Sequence, residues 1–165
     1  MKVYLSGPIS DLTFADAAGW RSRVVQRLGS WNTLDPLRGK SFLSNQRRIH
    51  REEYEAEKNP ALSDEAIVGR DMADVSASDI VLINLLGATA VSIGTMQEQG
   101  QARAERKRVV LVMEDSGNIH DHPFVRQGAV RFNDLDVALD YIISCFPDIG
   151  GPRVWTAAQN TVVVE

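Results

Sequence analysis

Two short runs, DIVLINLL (Asp79 to Leu86) and RVVLVM (Arg108 to Met113), constrain the fold more than any other feature of this chain. Both are nearly all apolar and rich in β-branched residues, with no alternation of polar and apolar positions. A strand with one wet face alternates, whereas a strand covered on both faces does not. Both runs are also far too short to cross a membrane as helices. They read as inner strands of a sheet with helices on each side. KVYLSG (Lys2 to Gly7) ends at Gly7-Pro8 and reads as a first, central strand. WNTLDP (Trp31 to Pro36) and AVRF (Ala129 to Phe132) supply two more.

Helical spacing fills the gaps between these strands. Phe14, Ala17, Trp20, Val24, Val25 and Leu28 make one face of a helix that Gly29 stops. Ser63 can cap a second helix, with Asp64 and Glu65 suited to its dipole, running through Ile67, Asp71 and Val75 to about Ser78. A third is expected from about Met96 to Glu105. A closing helix over DLDVALDYIISCF sets Leu135, Ala138, Leu139 and Ile142 on one side. The charged stretch NQRRIHREEYEAEKN (Asn45 to Asn59) reads as a solvated, partly helical insert.

Strands and helices in alternation imply a three-layer α/β domain of the flavodoxin-like or Rossmann-like kind. Right-handed crossovers favour a five-stranded parallel sheet in the order 2-1-3-4-5. Residues 1–146 are expected to form this domain. Residues 147–165 form a tail, either an edge strand or an arm onto a neighbouring subunit. A length of 165 residues suits one domain with a real core.

Bulk charge narrows the partners. A net charge of -4 argues against binding a nucleic-acid polymer, which calls for a basic face. No segment suggests a signal peptide or a membrane span. The single cysteine, Cys145, excludes an internal disulfide and suits a reducing, cytoplasmic setting. Its place in an apolar run predicts a buried, inert thiol.

Ligands of such sheets sit at the carboxyl ends of the strands, where the strand order reverses. The loops after Gly7, before Glu98 and after Met113 should meet there. The first strand carries neither a G-x-G-x-x-G nor a P-loop lysine signature, so no dinucleotide or P-loop cofactor is implied. His50, His120 and His122 have no metal-ligand spacing, and no metal is expected.

Glu98 admits two readings. Thr95-x-x-Glu98 fits a capping box, with Thr95 as N-cap and Glu98 reaching back to its backbone N–H. Alternatively, a carboxylate in the first turn of a helix stays ionised beside the positive dipole. There Ser92, Gly94 and free N–H groups can meet an anion or a sugar hydroxyl. An ionised carboxylate aimed at an acetal-like carbon can attack it or stabilise an oxocarbenium ion. Asp71 shares a helical face with Ile67 and so lies toward the buried side, where an idle charge is costly. Asp74 reads as a surface residue and Asp79 as a turn-closing one.

Four stretches, in order, resemble the nucleoside 2-deoxyribosyltransferase family, including its relatives that hydrolyse nucleoside 5′-monophosphates. They are VYLSGPI, RDMADVSASDIVLINL, SIGTMQEQGQARAERKRVVLVM and HPFVRQGAVRF, spanning roughly Lys2 to Phe132. The third is the most specific, with Gly-Thr and then Glu-x-Gly-x-Ala before a basic-led strand.

The resemblance implies that Glu98 is the nucleophile at the anomeric carbon. It implies that Asp71 faces the leaving base and assists its protonation or orientation, and that Tyr4 holds Glu98 in line. Gly7 and Pro8 would shape the loop under the substrate, a small nucleoside or nucleotide. It also implies a homo-oligomer with shared active sites, in which His122 and Phe124 of HDHPF close the pocket of the adjacent subunit. Family transferases often carry Asp where this chain has Ser92, whereas the monophosphate hydrolases carry Ser there, in contact with the phosphate. Ser10 and Asp11 follow SGPI in place of the hydrolases' Arg-Gly, so Arg38 and Lys40 are candidates for the missing positive charge. The sugar would pass to another base or to water. The alternatives are a 5′-monophosphate N-glycosidase as sole activity, a lysine-decarboxylase-like phosphoribohydrolase sharing Gly94-Thr95-x-x-Glu98, an NAD-cleaving glycosidase, or a non-catalytic nucleotide-sensing module.

Overall fold

A computed structural model describes residues 1–146; the expectation for the tail at 147–165 falls outside the described residues. The elements run β1 (Lys2–Ser6), α1 (Phe14–Leu28), β2 (Asn32–Leu34), α2 (Arg51–Ala56), α3 (Asp64–Ala77), β3 (Ile80–Asn84), α4 (Ile93–Ala104), β4 (Arg108–Val112), α5 (Pro123–Arg126), β5 (Val130–Phe132) and α6 (Leu135–Cys145). Short 3₁₀ turns at Ser41–Asn45 and Pro60–Leu62 flank α2. All strand pairs are parallel, in the order β2-β1-β3-β4-β5. This is the flavodoxin-like order, with its switch point between β1 and β3.

Strand alternation sends side chains to two cores. Val3, Leu5, Ile80, Leu82, Val110 and Val112 point to one face and pack under α1 and α6. Tyr4, Val81, Ile83, Val109 and Leu111 point to the other, against Val75 of α3 and Ala102 of α4. Every residue of β3 is buried, as its unbroken apolar run requires. Each large aliphatic side chain withdrawn from water this way stabilises the fold by about 1.5–3 kcal/mol. Among the described residues no helix is long and apolar enough to cross a membrane.

Thr13 caps α1 by accepting from the Asp16 N–H, and Gly29 ends it at φ 57°, a left-handed conformation suited to glycine. Ser63 caps α3 by accepting from the Ala66 N–H. The charged insert supplies α2 and a small third core, where Leu43 and Ile49 meet Leu37 and Ala17. Asp79 ties the end of α3 to β1 by accepting from the Lys2 N–H.

One side chain departs from expectation. Cys145 is exposed, not buried. The inward stripe of α6 is Leu135, Ala138, Leu139 and Ile142, and Phe146, four residues on, takes the next inward place.

Candidate active site

β1 positions the centre of the site. Tyr4 and Ser6 are two residues apart and so share one face of the strand. Across the cleft, α4 presents Glu98 to both. The Tyr4 hydroxyl donates to Glu98 Oε1 at 2.7 Å, and the Ser6 hydroxyl donates to Oε2 in a short contact. Both carboxylate oxygens are thereby fixed, and each retains acceptor capacity. Glu98 is 8% exposed and borders a cavity of ≈ 520 Å³, a volume suited to a small organic ligand.

This geometry corrects both local readings of Glu98. Helix α4 begins at Ile93, earlier than expected, and its N-cap is Ser92, whose hydroxyl accepts from the Thr95 N–H at 3.4 Å. Thr95 is therefore inside the helix, and its hydroxyl lies 2.9 Å from Ser92 Oγ. Glu98 is in the second turn, too deep for a capping box and past the strongest part of the dipole. Burial pushes its carboxyl above the usual range. The hydrogen bonds from Ser6 and then Tyr4 pull it back, and the nearby Asp71 charge adds to the upward push. The two hydroxyls do the work that the sequence assigned to the helix terminus. Burial, then the charge of Glu98, drives the Tyr4 phenol well above its ordinary range, so it remains a donor.

Gly7 and Pro8 line the cavity beside Glu98. A Cβ on Gly7 would lie 2.7 Å from the Asn84 carbonyl oxygen, so β1 and β3 approach too closely there for any other residue. Beneath the loop, the fully buried Arg21 donates to the Gly7 carbonyl at 2.9 Å and lies 4.4 Å from the centre of the Trp20 ring. Burial lowers its guanidinium to about 10, against the opposing pull of Asp35, so it stays charged at neutral pH.

Asp71, on α3, is also 8% exposed and borders the cavity, one turn from Ile67 as the spacing predicts. Arg70 donates to its Oδ1 from Nε at 3.0 Å and Nη2 at 2.8 Å. Burial raises the Asp71 carboxyl, and Arg70 opposes the rise. Ser92, Gly94 and Thr95 form the cavity wall at the head of α4. The amides of Ile93 and Gly94 precede the first intrahelical bond there.

Three expected residues lie elsewhere. Arg38 does not line the cavity; its guanidinium pairs with Asp74, which is half-buried and not a free surface acid. His122 and Phe124 line a neighbouring groove behind α4, with their rings stacked at 5.7 Å. Phe124 is 76% exposed, so it does not pack locally behind Pro123. The loop after Met113 does not border the cavity either. It acts one step back: His120 Nε2 accepts from the Ser92 N–H at 2.9 Å, which leaves the proton on Nδ1, 3.2 Å from Asn118 Oδ1. Asn118 donates in turn to the Leu85 carbonyl at 2.7 Å, tying this loop to the exit of β3.

Sequence reasoning passed over Ser6, His50, Tyr54 and His120. Ser6 carried a signal, since it lies two residues from Tyr4 on the same strand face. The others come from loops and the charged insert, where no periodicity points at a cavity. Tyr54, His50 and Lys40 nevertheless line it. Asp11 lines it too, but as a mostly exposed residue 3.1 Å from His50 Nδ1. Among the described residues no group of three His, Cys, Asp or Glu is placed to hold a metal ion.

Sheet order and cavity together define a flavodoxin-like α/β protein with a carboxylate-bearing cleft at its switch point. The chain belongs to the nucleoside 2-deoxyribosyltransferase family, whose model matches residues 3–144. The fold is shared with a 2-deoxyribosyltransferase from Bacillus psychrosaccharolyticus, at 17% identity and a TM-score of 0.60 over 88% of this chain and 95% of that one. A 2-desoxiribosyltransferase from Leishmania mexicana aligns at 15% identity and a TM-score of 0.59, covering 87% and 97%. A CMP N-glycosidase from Clostridium botulinum aligns at 14% identity and a TM-score of 0.54, covering 88% and 99%. Comparison with curated proteins by sequence gives no match.

Proposed function

We propose that this protein cleaves the N-glycosidic bond of (deoxy)nucleosides or their 5′-monophosphates through a covalent glycosyl-Glu98 intermediate, and passes the sugar to another base or to water. One observation carries the reading: a buried carboxylate, held through both oxygens by Tyr4 and Ser6, faces a ligand-sized cavity. Such a group is oriented before substrate arrives, as covalent glycosyl transfer requires. Attack by Glu98 at C1′ displaces the base. A second attack, opposite Glu98 and from the face that the base left, frees the sugar with net retention. Asp71 borders the cavity beside Glu98, in a place to orient the leaving base.

The head of α4 favours monophosphates as one substrate class. Ser92 is uncharged, and the Ile93 and Gly94 amides are free of intrahelical partners, so a 5′-phosphate meets donors and no carboxylate there. The groove of His122 and Phe124 supports a second copy as neighbour. Val91, Ile93, Ile119 and Phe124 are exposed apolar residues along this side, and Val91 borders both groove and cavity. In this reading a paired subunit covers that surface and completes the pocket.

The test is a panel of deoxynucleosides and their monophosphates, each with and without a second base. Exchange of the base identifies a transferase, and release of base alone identifies a hydrolase. No cleavage of any member would overturn the reading.

A further inference from the structure

The cavity wall also holds a buried cation, Lys40, which the sequence offers only as a candidate to meet a phosphate. Lys40 follows β2 and is 2% exposed. It borders the cavity, and its Nζ lies 5.1 Å from the centre of the Tyr54 ring, which borders it too. The acids that act on it are already engaged: Asp71 by Arg70 and Asp35 by Arg21. Among the described residues no carboxylate pairs with Lys40. A buried ammonium without a counter-ion weakens a fold, and such groups concentrate where a ligand meets them.

Sheet order orients the two sides of the cavity: the β2 exit leads through a turn to Lys40 and the β3 exit leads through a loop to Ser92, with β1 and its Gly7 loop between them. Two strand spacings separate the exits by about 10 Å. With the 5′ end of a substrate at the head of α4 and C1′ at Glu98, the base extends toward Lys40 and Asp71.

We propose that Lys40 is the general acid for the leaving base: its ammonium meets a ring nitrogen or carbonyl oxygen of the base and delivers a proton there as the C1′–N bond breaks. This rests on Glu98 acting as nucleophile. In the first step a Glu98 oxygen bonds to C1′, the C1′–N electron pair moves onto the base, and a proton passes from Nζ to the base, leaving a neutral amine. In the second step water or an incoming base attacks C1′, the Glu98–C1′ bond breaks, and the attacking group gives its proton to the amine. Lys40 ends as it began. Asp71 orients the base and adds negative charge near the ammonium.

The surroundings suit a proton carrier. Burial lowers the Lys40 ammonium to about 8, with Asp71 and Asp35 opposing the drop and Arg70 and Arg21 reinforcing it; the Tyr54 ring completes its neighbourhood. A group poised there gives up and regains a proton near neutral pH.

The experiment compares Lys40→Met, Lys40→Arg and wild type by kcat/KM, which reports sugar transfer to Glu98. The substrates are natural deoxynucleosides and an activated deoxyriboside, 4-nitrophenyl 2-deoxyriboside, whose leaving group needs no proton. Lys40→Met should lose on the order of 10²-fold on natural substrates and under about tenfold on the activated one, and Lys40→Arg should lose nearly as much on natural substrates, since a guanidinium keeps its charge and does not give up its proton. For wild type, kcat/KM on natural substrates should fall as pH rises through about 8 and stay level for the activated one. The pH profile answers the question even if the variants fail to fold. Equal losses on both substrates, or matching profiles through that range, would overturn the role of Lys40 and leave Glu98 standing. A wild-type enzyme inert toward every glycoside, the activated one included, would remove the underlying reading and this proposal together.

Discussion

The two ends of the cavity are built differently. At the Glu98 end, Tyr4 and Ser6 stand on a central strand, and Glu98 stands on a helix of twelve residues packed against β3 and β4. At the other end, Lys40 and His50 come from loops and Tyr54 from a six-residue helix. Regular elements hold side chains to fractions of an ångström, whereas an insert can change in length and composition without disturbing the sheet. In the proposed reading this is a division of labour: bond-making rests on the sheet and the helix packed against it, and recognition of the departing group rests on the segments that follow β2.

The largest effect should come from the rigid end. Glu98→Gln should lower turnover by at least about 10⁴-fold, as expected for loss of a nucleophile. The same change should stabilise the fold at neutral pH. Burial raises the folded-state carboxyl above its ordinary 4.5, so the folded chain holds its proton more tightly than the unfolded chain does. The stability linked to that proton is full below 4.5 and is lost as pH rises through the folded value. Thermal unfolding across pH should therefore show Glu98→Gln ahead of wild type at pH 7 and the gap closing in acid. A constant gap would refute the linkage.

Next come the two hydroxyls. Tyr4→Phe should cost about 10- to 100-fold in kcat, since a hydrogen bond to a charged group contributes about 1.5–3 kcal/mol. Combining it with Ser6→Ala should lose less than the product of the single effects, because both act on one carboxylate. Full additivity would mean that they do not share Glu98. Ser92→Asp should weaken a 5′-monophosphate about tenfold more than the matching nucleoside, from charge repulsion near a surface. An equal effect on both would place the phosphate elsewhere. Smallest is Arg38→Ala, expected to change activity by less than about threefold. Its partner is Asp74, outside the cavity, and partly exposed pairs of this kind contribute little. A large loss would extend the working site beyond the cavity wall.

The frame of the molecule was readable from residues because its signals are periodic. The unbroken apolar run Ile80–Asn84 announces a doubly covered strand, and the stripe ending at Leu28 announces α1. Part of the candidate site was readable too: Asp71 follows Ile67 by one turn, and Glu98 stood out through the resemblance carried by its Gly-Thr-x-x-Glu stretch. What escaped was short-range competition. Ser92 and Thr95 are both good caps three residues apart, and the choice between them turns on tertiary contacts, including the bond from the Ser92 N–H to His120. His50 and Tyr54 escaped because a charged insert looks solvated until its fold buries part of it, whereas Lys40 was singled out for its charge and does line the cavity.

The most direct test of Glu98 as nucleophile is mass spectrometry of enzyme quenched during turnover of a deoxynucleoside. We predict an added 2-deoxyribosyl mass on the peptide carrying Glu98, removed by chasing with a second base or with time in water, and absent from Glu98→Gln. Wild-type turnover by Glu98→Gln, with no sugar on that peptide in either protein, would contradict it.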